Sequence, residues 1–325
     1  MAQSEQRTST ALADDLFDKY VLPKAALTII LVASLAGTAV SVQLSGVWSL
    51  GEIAATWAYL VALGVLTGGL LWKHGFVRPR DLETGADEYC ARMYGRFDRI
   101  AVPALAVTAL ASGVVLGRYL AAGVDVRLVA GLAAAVVSLA AFGGAQALRS
   151  PPVDAQFRHP FGVLALAAAL AAVVLTASAE VALRSGGAAA TGVRSLHLLA
   201  FSVWVGGAVW NIFVAVPTGQ EHPTPPVVRA AGQQLQRFRL AVRFVIPTIA
   251  VTGLYQAVDG LGASPATYLD SLLGLAVLSK LALVGVLFVI FKLCPMWRAC
   301  SPIDGVCDLA EAPDGADDPH SPTDD

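Results

Sequence analysis

Eight runs of mostly apolar residues follow one another along the chain, at Lys24 to Leu44, Ile53 to Trp72, Ile100 to Leu120, Leu128 to Leu148, Phe161 to Leu183, Leu196 to Pro217, Ala241 to Asp259 and Leu269 to Lys292. A helix of about 20 apolar residues crosses a hydrocarbon core of roughly 30 Å. Inside lipid every backbone N–H and C=O must be satisfied within the segment, so runs of this length are read as helices. With 56% of 325 residues hydrophobic and only 14% charged, the chain lies outside the soluble range. The expected fold is therefore all-α: a polytopic membrane protein of eight transmembrane helices.

The net charge of −2 says little, but the positions of the charges say more. Of the 22 Lys and Arg residues, 17 fall in the N-terminus, in the loops after spans two, four and six, and in the C-terminus. Four, Arg118, Arg127, Arg184 and Arg194, fall on the opposite side, and Lys280 lies within span eight. Basic residues accumulate on the cytoplasmic side, which places both termini inside, at a plasma (inner) membrane. Met1 to Pro23 lacks a basic patch leading directly into a short apolar core and reads as a cytoplasmic tail rather than a secretory signal. The stretch from Asp304 to Asp325, rich in Asp, Pro and Gly, has the composition of a disordered tail.

Two internal matches recur. Tyr59 to Gly69 (YLVALGVLTGG) aligns with His197 to Gly207 (HLLAFSVWVGG) at an offset of 138, and Val102 to Leu110 (VPALAVTAL) aligns with Ile246 to Leu254 (IPTIAVTGL) at 144. Four spans return a chain to its starting side, so the copies are expected to be parallel, related by an axis along the membrane normal. The expected organisation is a tail over 1–23, a first four-helix repeat over 24–150, a second over 151–293, and a cytoplasmic tail over 294–325.

The halves differ where chemistry would show. His197, Trp204 and Asn211 are spaced by seven on span six and share a helix face, with Gly206 and Gly207 beside them. At the aligned positions the first half has Tyr59 for His197 and Leu66 for Trp204, and Val136 stands opposite Lys280. The order His197, Trp204, Gly206, Gly207, then Thr252, Gly253, Tyr255, then Lys280 within LSKLAL resembles the CopD family of copper-resistance and copper-transport membrane proteins. The resemblance covers Val193 to Lys292. It implies movement of copper across the inner membrane, usually inward from an extracytoplasmic copper-binding protein; a cytoplasmic copper acceptor is a further expected partner.

Read without the family, Glu180 and His197 both lie near the outer ends of their spans, and Asp259 and Asp270 flank the outer turn between spans seven and eight. Thr248, Thr252, Gln256 and Asp259 form a polar stripe on span seven. His197 with Glu180 or Asp259 is thus a candidate outer copper site, since imidazole suits copper and carboxylates assist. The alternative for each is structural: a His bonding a neighbouring helix, a Trp packing, an Asp capping a turn. Lys280 sits near mid-bilayer, where a charged amine is costly unless paired. A carboxylate is expected beside it, Glu180 first, then Asp259 or Asp270.

After span eight, Cys294, Met296, Cys300 and Cys307 offer soft sulfur to an imported Cu(I) on the reducing side. Their spacing matches no standard metal motif, and palmitoylation sites or plain thiols are the alternatives. Cys90 has no sulfur neighbour within its loop. That loop, Lys73 to Arg99, mixes basic and aromatic residues and reads as an anchor to anionic headgroups, not to nucleic acid.

Two rival readings come from other classes. A b-type haem protein in electron transfer needs facing His ligands, for which His74 and His159 are the candidates at the cytoplasmic span ends. An assembly or scaffold subunit needs no transport site. No nucleophile triad, P-loop or hydrolase carboxylate pair is apparent, so no enzyme is expected. Reporter fusions test the topology: a cytoplasm-active reporter should work after Leu148 and after Lys292 and fail after Ala122.

Overall fold

A computed structural model describes residues 21–44, 46, 49–77, 86–149, 157, 159–221 and 224–293. The N-terminal tail, Arg78 and Arg80, and the sulfur ligands expected at Cys294, Met296, Cys300 and Cys307 lie outside the described residues. Among those described there is no strand, and the long helices are α1 (Val21–Gln43), α2 (Leu50–Leu71), α3 (Asp87–Ala121), α4 (Val126–Arg149), α5 (Pro160–Ala182), α6 (Ala188–Val209), α7 (Pro225–Leu261) and α8 (Leu272–Leu293). α1 to α7 are long and apolar enough to cross a membrane, and the apolar stretch of α8 is the shorter Leu272–Leu287. The protein is thus a polytopic, all-helical membrane protein.

α2 and α6 cross at the centre, backbone against backbone. A Cβ on Gly68 would lie 2.0 Å from the Ser202 carbonyl oxygen and 2.8 Å from the Gly206 Cα, and a Cβ on Gly206 would lie 2.5 Å from the Gly68 Cα. Only glycine fits on both sides, which is how helices approach closely where lipid is as apolar as the side chains. The next glycine of each pair admits an aromatic ring from another helix. Gly69 faces Phe97 of α3, and Gly207 faces Phe238 of α7 and Trp72 of α2. Trp72 and Trp210, each three residues beyond its glycine pair, then complete an exchange. Trp72 lies 5.9 Å from Phe238, and Trp210 lies 5.4 Å from Phe97. Both helices widen here into π-helical turns, Trp72–Phe76 and Trp210–Ala215, and α6 continues through Val216–Glu221. Around this centre α4 packs on α5, and α8 packs on α1.

α3 and α7 begin well before the apolar runs that announce them, at Asp87 and Pro225. Their early turns are amphipathic. On α3, Tyr89, Cys90, Met93, Tyr94 and Phe97 are buried while Glu88, Arg92 and Arg96 pair at the surface. The stretch expected as a loop from Lys73 to Arg99 is, over its described part, a π-turn and the first turns of α3, and of its basic residues Lys73 is withdrawn from the surface. Lys73 is fully buried, bonds Asp98 at 2.7 Å and lies 5.1 Å from the Tyr94 ring, because helix α3 folds back over the π-turn and supplies the countercharge. Arg96 reaches Glu221 at 2.8 Å.

The crossing predicts a sharp position dependence for adding one methyl group. Gly68→Ala or Gly206→Ala should destabilise the purified protein by about 1–3 kcal/mol or prevent its recovery, as overpacking does. Gly113→Ala, whose new Cβ would meet nothing within 4 Å, should unfold as the parent does. Thermal unfolding in detergent measures the three together.

A cation-lined cavity at the end of helix α6

α6 enters the bundle beside α5 and α7, and its second and third turns carry the polar groups of the site. Arg194 Nε donates to Glu180 Oε2 of α5 at 2.6 Å, and a terminal guanidinium nitrogen also pairs with that oxygen. The other arm of Arg194 donates to Gln256 Oε1 of α7 at 2.8 Å, and Gln256 Nε2 donates to the Thr252 carbonyl at 3.0 Å. One turn along α6, His197 Nδ1 meets Thr252 Oγ1 at 2.8 Å. The Thr252 hydroxyl also lies within hydrogen-bond reach of the Thr248 carbonyl. Which of His197 and Thr252 donates to the other depends on the tautomer of the ring.

The ring borders two neighbouring cavities. The larger, about 340 Å³, lies between α1, α6, α7 and α8, and the smaller, about 80 Å³, lies between α1, α2, α6 and α8. His197, Arg194, Trp204 and Lys280 border both. Lys280 Nζ lies over α1, only 2.9 Å from where a Cβ on Gly37 would stand. Arg184, whose side chain donates to the Ser41 carbonyl at 3.2 Å, borders the larger cavity with Tyr268. Among the described residues, no Asp or Glu borders either one.

The carboxylate expected beside Lys280 is elsewhere. Glu180 is buried but pairs with Arg194, which enters the core on the helix adjacent to it, and Lys280 has no carboxylate partner among the described residues. Asp259 and Asp270 are exposed and border neither cavity. Thr252 and Gln256 of the polar stripe face the site, whereas Asp259 ends that stripe outside it. Among the described residues no three His, Cys, Asp or Glu side chains stand close enough together to hold a metal, so His197, Glu180 and Asp259 are not brought together as one ligand set.

Trp204 packs into the apolar cluster of Ala26, Val242, Val245 and Ile246 and closes the deep end of the cavity. Gly206 and Gly207 serve the helix crossing. Asn211, in the π-turn, bonds the Gly207 carbonyl at 2.8 Å and is buried away from the cavity. Tyr59, the counterpart of His197, bonds Thr176 of α5 at 2.8 Å in the core. The haem candidates His74 and His159 border neither cavity. His74 is pressed against α5, where a Cβ on Gly162 would fall 2.3 Å from Nε2, and His159 Nδ1 caps α5 by accepting from the Phe161 amide.

Arg194, Arg184 and Gly37 are the site residues that the sequence reading did not single out. Arg194 could have been found, since it stands one helical turn before His197. Gly37 carries no such signal. Compared with known proteins, the chain matches no family model, no curated protein and no solved structure.

The buried ion pair predicts an asymmetric mutational response. Removing one partner leaves an uncompensated charge, so Glu180→Ala should cost about 3–5 kcal/mol of unfolding free energy. Glu180→Ala combined with Arg194→Met should recover much of that loss. A double-mutant cycle on chemical unfolding in detergent measures the difference.

Proposed function

We propose that this protein handles copper at an inner membrane in the manner its resemblance to the CopD family implies, with His197 as the residue that meets the ion. One observation supports the reading above the others. His197, Trp204, Gly253 and Lys280, spread over three helices, all border the larger cavity, and Thr252 bonds His197. Motif residues that served only for packing would have no reason to converge on one space. Gly206, Gly207 and Tyr255 depart from this pattern, the glycines serving the helix crossing and Tyr255 being exposed on α7.

In this reading α8 is the eighth span, both termini are cytoplasmic, and the halves 24–150 and 151–293 are parallel copies. The paired glycine crossings, the exchanged Trp and Phe rings and the matching π-turns favour such a duplication. The end of the cavity at Arg184 and Tyr268 then faces outward. Copper arriving from an extracytoplasmic protein meets the His197 ring, and a single imidazole leaves its remaining coordination to ligands it carries or exchanges. Such a site suits an ion in transit more than a stored one. The tail with Cys294, Met296, Cys300 and Cys307 would receive Cu(I) on the cytoplasmic side.

Copper content of washed membranes and uptake by intact cells, measured for parent and His197→Ala, test the reading together. His197→Ala should lose most protein-dependent copper and uptake while retaining its expression level. Equal copper and equal uptake would remove His197 from any transport path.

A further inference from the structure

We infer that the larger cavity is a binding site for an anionic amphiphile, a carboxylate or phosphate head with an acyl chain. The inference does not rest on copper. Three cationic side chains, Arg184, Arg194 and Lys280, border a chamber inside the bundle with no Asp or Glu in its wall among the described residues. Glu180 offsets Arg194 from behind, at 2.6 Å. Arg184 has Glu180 and Asp259 only at longer range and donates to the Ser41 carbonyl at 3.2 Å, and Lys280 makes no ion pair among the described residues. Buried charge in a membrane is retained where something compensates it, and a positively lined chamber is compensated by an anion.

The rest of the wall specifies the body of that anion. Beyond the cations and the few polar and aromatic groups, Ser41, His197, Gln256, Trp204 and Tyr268, the lining is mostly aliphatic, and Leu254 of α7 and Leu281 of α8 both border the cavity and are exposed. α8 lies along α1 and meets α7 only sparsely, so the seam between these leucines is a side opening at bilayer depth. A head seated at Lys280 and Arg184 would send its chain out through that seam into lipid. The volume of about 340 Å³ is at the small end of ordinary ligand sites, sufficient for a head and the first part of a chain. An anion at Lys280 would also remove the repulsion that the ammonium exerts on a metal ion at His197.

The test is equilibrium binding to the purified full-length protein in nonionic detergent with a metal chelator present, which separates it from the fate of the copper reading. Oleate should bind saturably. Oleyl alcohol, with the chain and no charge, and acetate, with the charge and no chain, should bind far more weakly. Lys280→Met should weaken oleate by about tenfold or more, the scale of one lost charge-assisted hydrogen bond, and Lys280→Arg should restore most of it. If Lys280→Met does not fold, Arg184→Gln should show the same loss. Displacement of oleate by nanodiscs containing anionic but not zwitterionic phospholipid would identify a lipid headgroup as the source. Failure of both to displace it would identify a free fatty carboxylate. Equal binding of oleate and oleyl alcohol, equal binding by parent and variants, or no binding of oleate would overturn the inference.

Discussion

The contact between Gly68 and Gly206 holds the structure in register. In a bilayer the hydrophobic effect does not press helices together, and close van der Waals approach takes its place. Because neither helix has a Cβ at the crossing, α2 and α6 touch along their backbones, and the glycine after each admits a ring from a third helix. The Trp72 to Phe238 and Phe97 to Trp210 contacts tie α7 to α2 and α3 to α6, so one pair of contacts locks four helices. The π-turns that follow carry the tryptophans at the point where the rings interlock.

The position of α6 then determines the chemistry. Being central, it faces α5 on one side and α7 on the other, and its first polar turns reach Glu180, Gln256 and Thr252 without distorting either neighbour. Arg194 takes the buried carboxylate, so His197 has Thr252 and not Glu180 as its side-chain hydrogen-bond partner. The same assignment leaves Lys280 without an anion of its own among the described residues, and the cavity wall carries positive charge. The two halves of the chain thus share packing logic and diverge in electrostatics. Tyr59 spends its hydroxyl on Thr176 in the core, while His197 stands at a cavity edge.

Long apolar runs made the helical membrane fold legible, since composition and run length alone dictate it. Gly206 and Gly207 were legible as small residues permitting close approach, and the structure gives that role to Gly206 against Gly68, whose pair the sequence marked only as a repeat. Helix ends were less so: Tyr89 to Phe97 reads as a basic and aromatic loop until its buried face is seen against the π-turn. Among site residues, His197, Trp204, Thr252, Gln256 and Lys280 were visible as polar or bulky intrusions in apolar spans. Their partners were not, because pairing depends on which helices adjoin. Glu180 was assigned to Lys280 on shared depth, but α5 adjoins α6 and not α8, and Arg194 is on α6. The role of Gly37 beneath Lys280 depends entirely on α8 packing against α1, which no local pattern encodes.

The central claim is that motif residues from α6, α7 and α8 enclose one positively lined chamber. Reaction rates of single cysteines with thiol reagents of opposite charge test it most directly, on a background with the four native cysteines replaced by serine. Cysteines at Ala250, Gly253 and Ala276, which border the cavity, should react, and faster with an anionic methanethiosulfonate than with a cationic one. Cysteines at the exposed Val251 and Val289 should be nearly inert to both. Equal reactivity at the two sets of positions, or a faster cationic reagent at Gly253, would contradict the account.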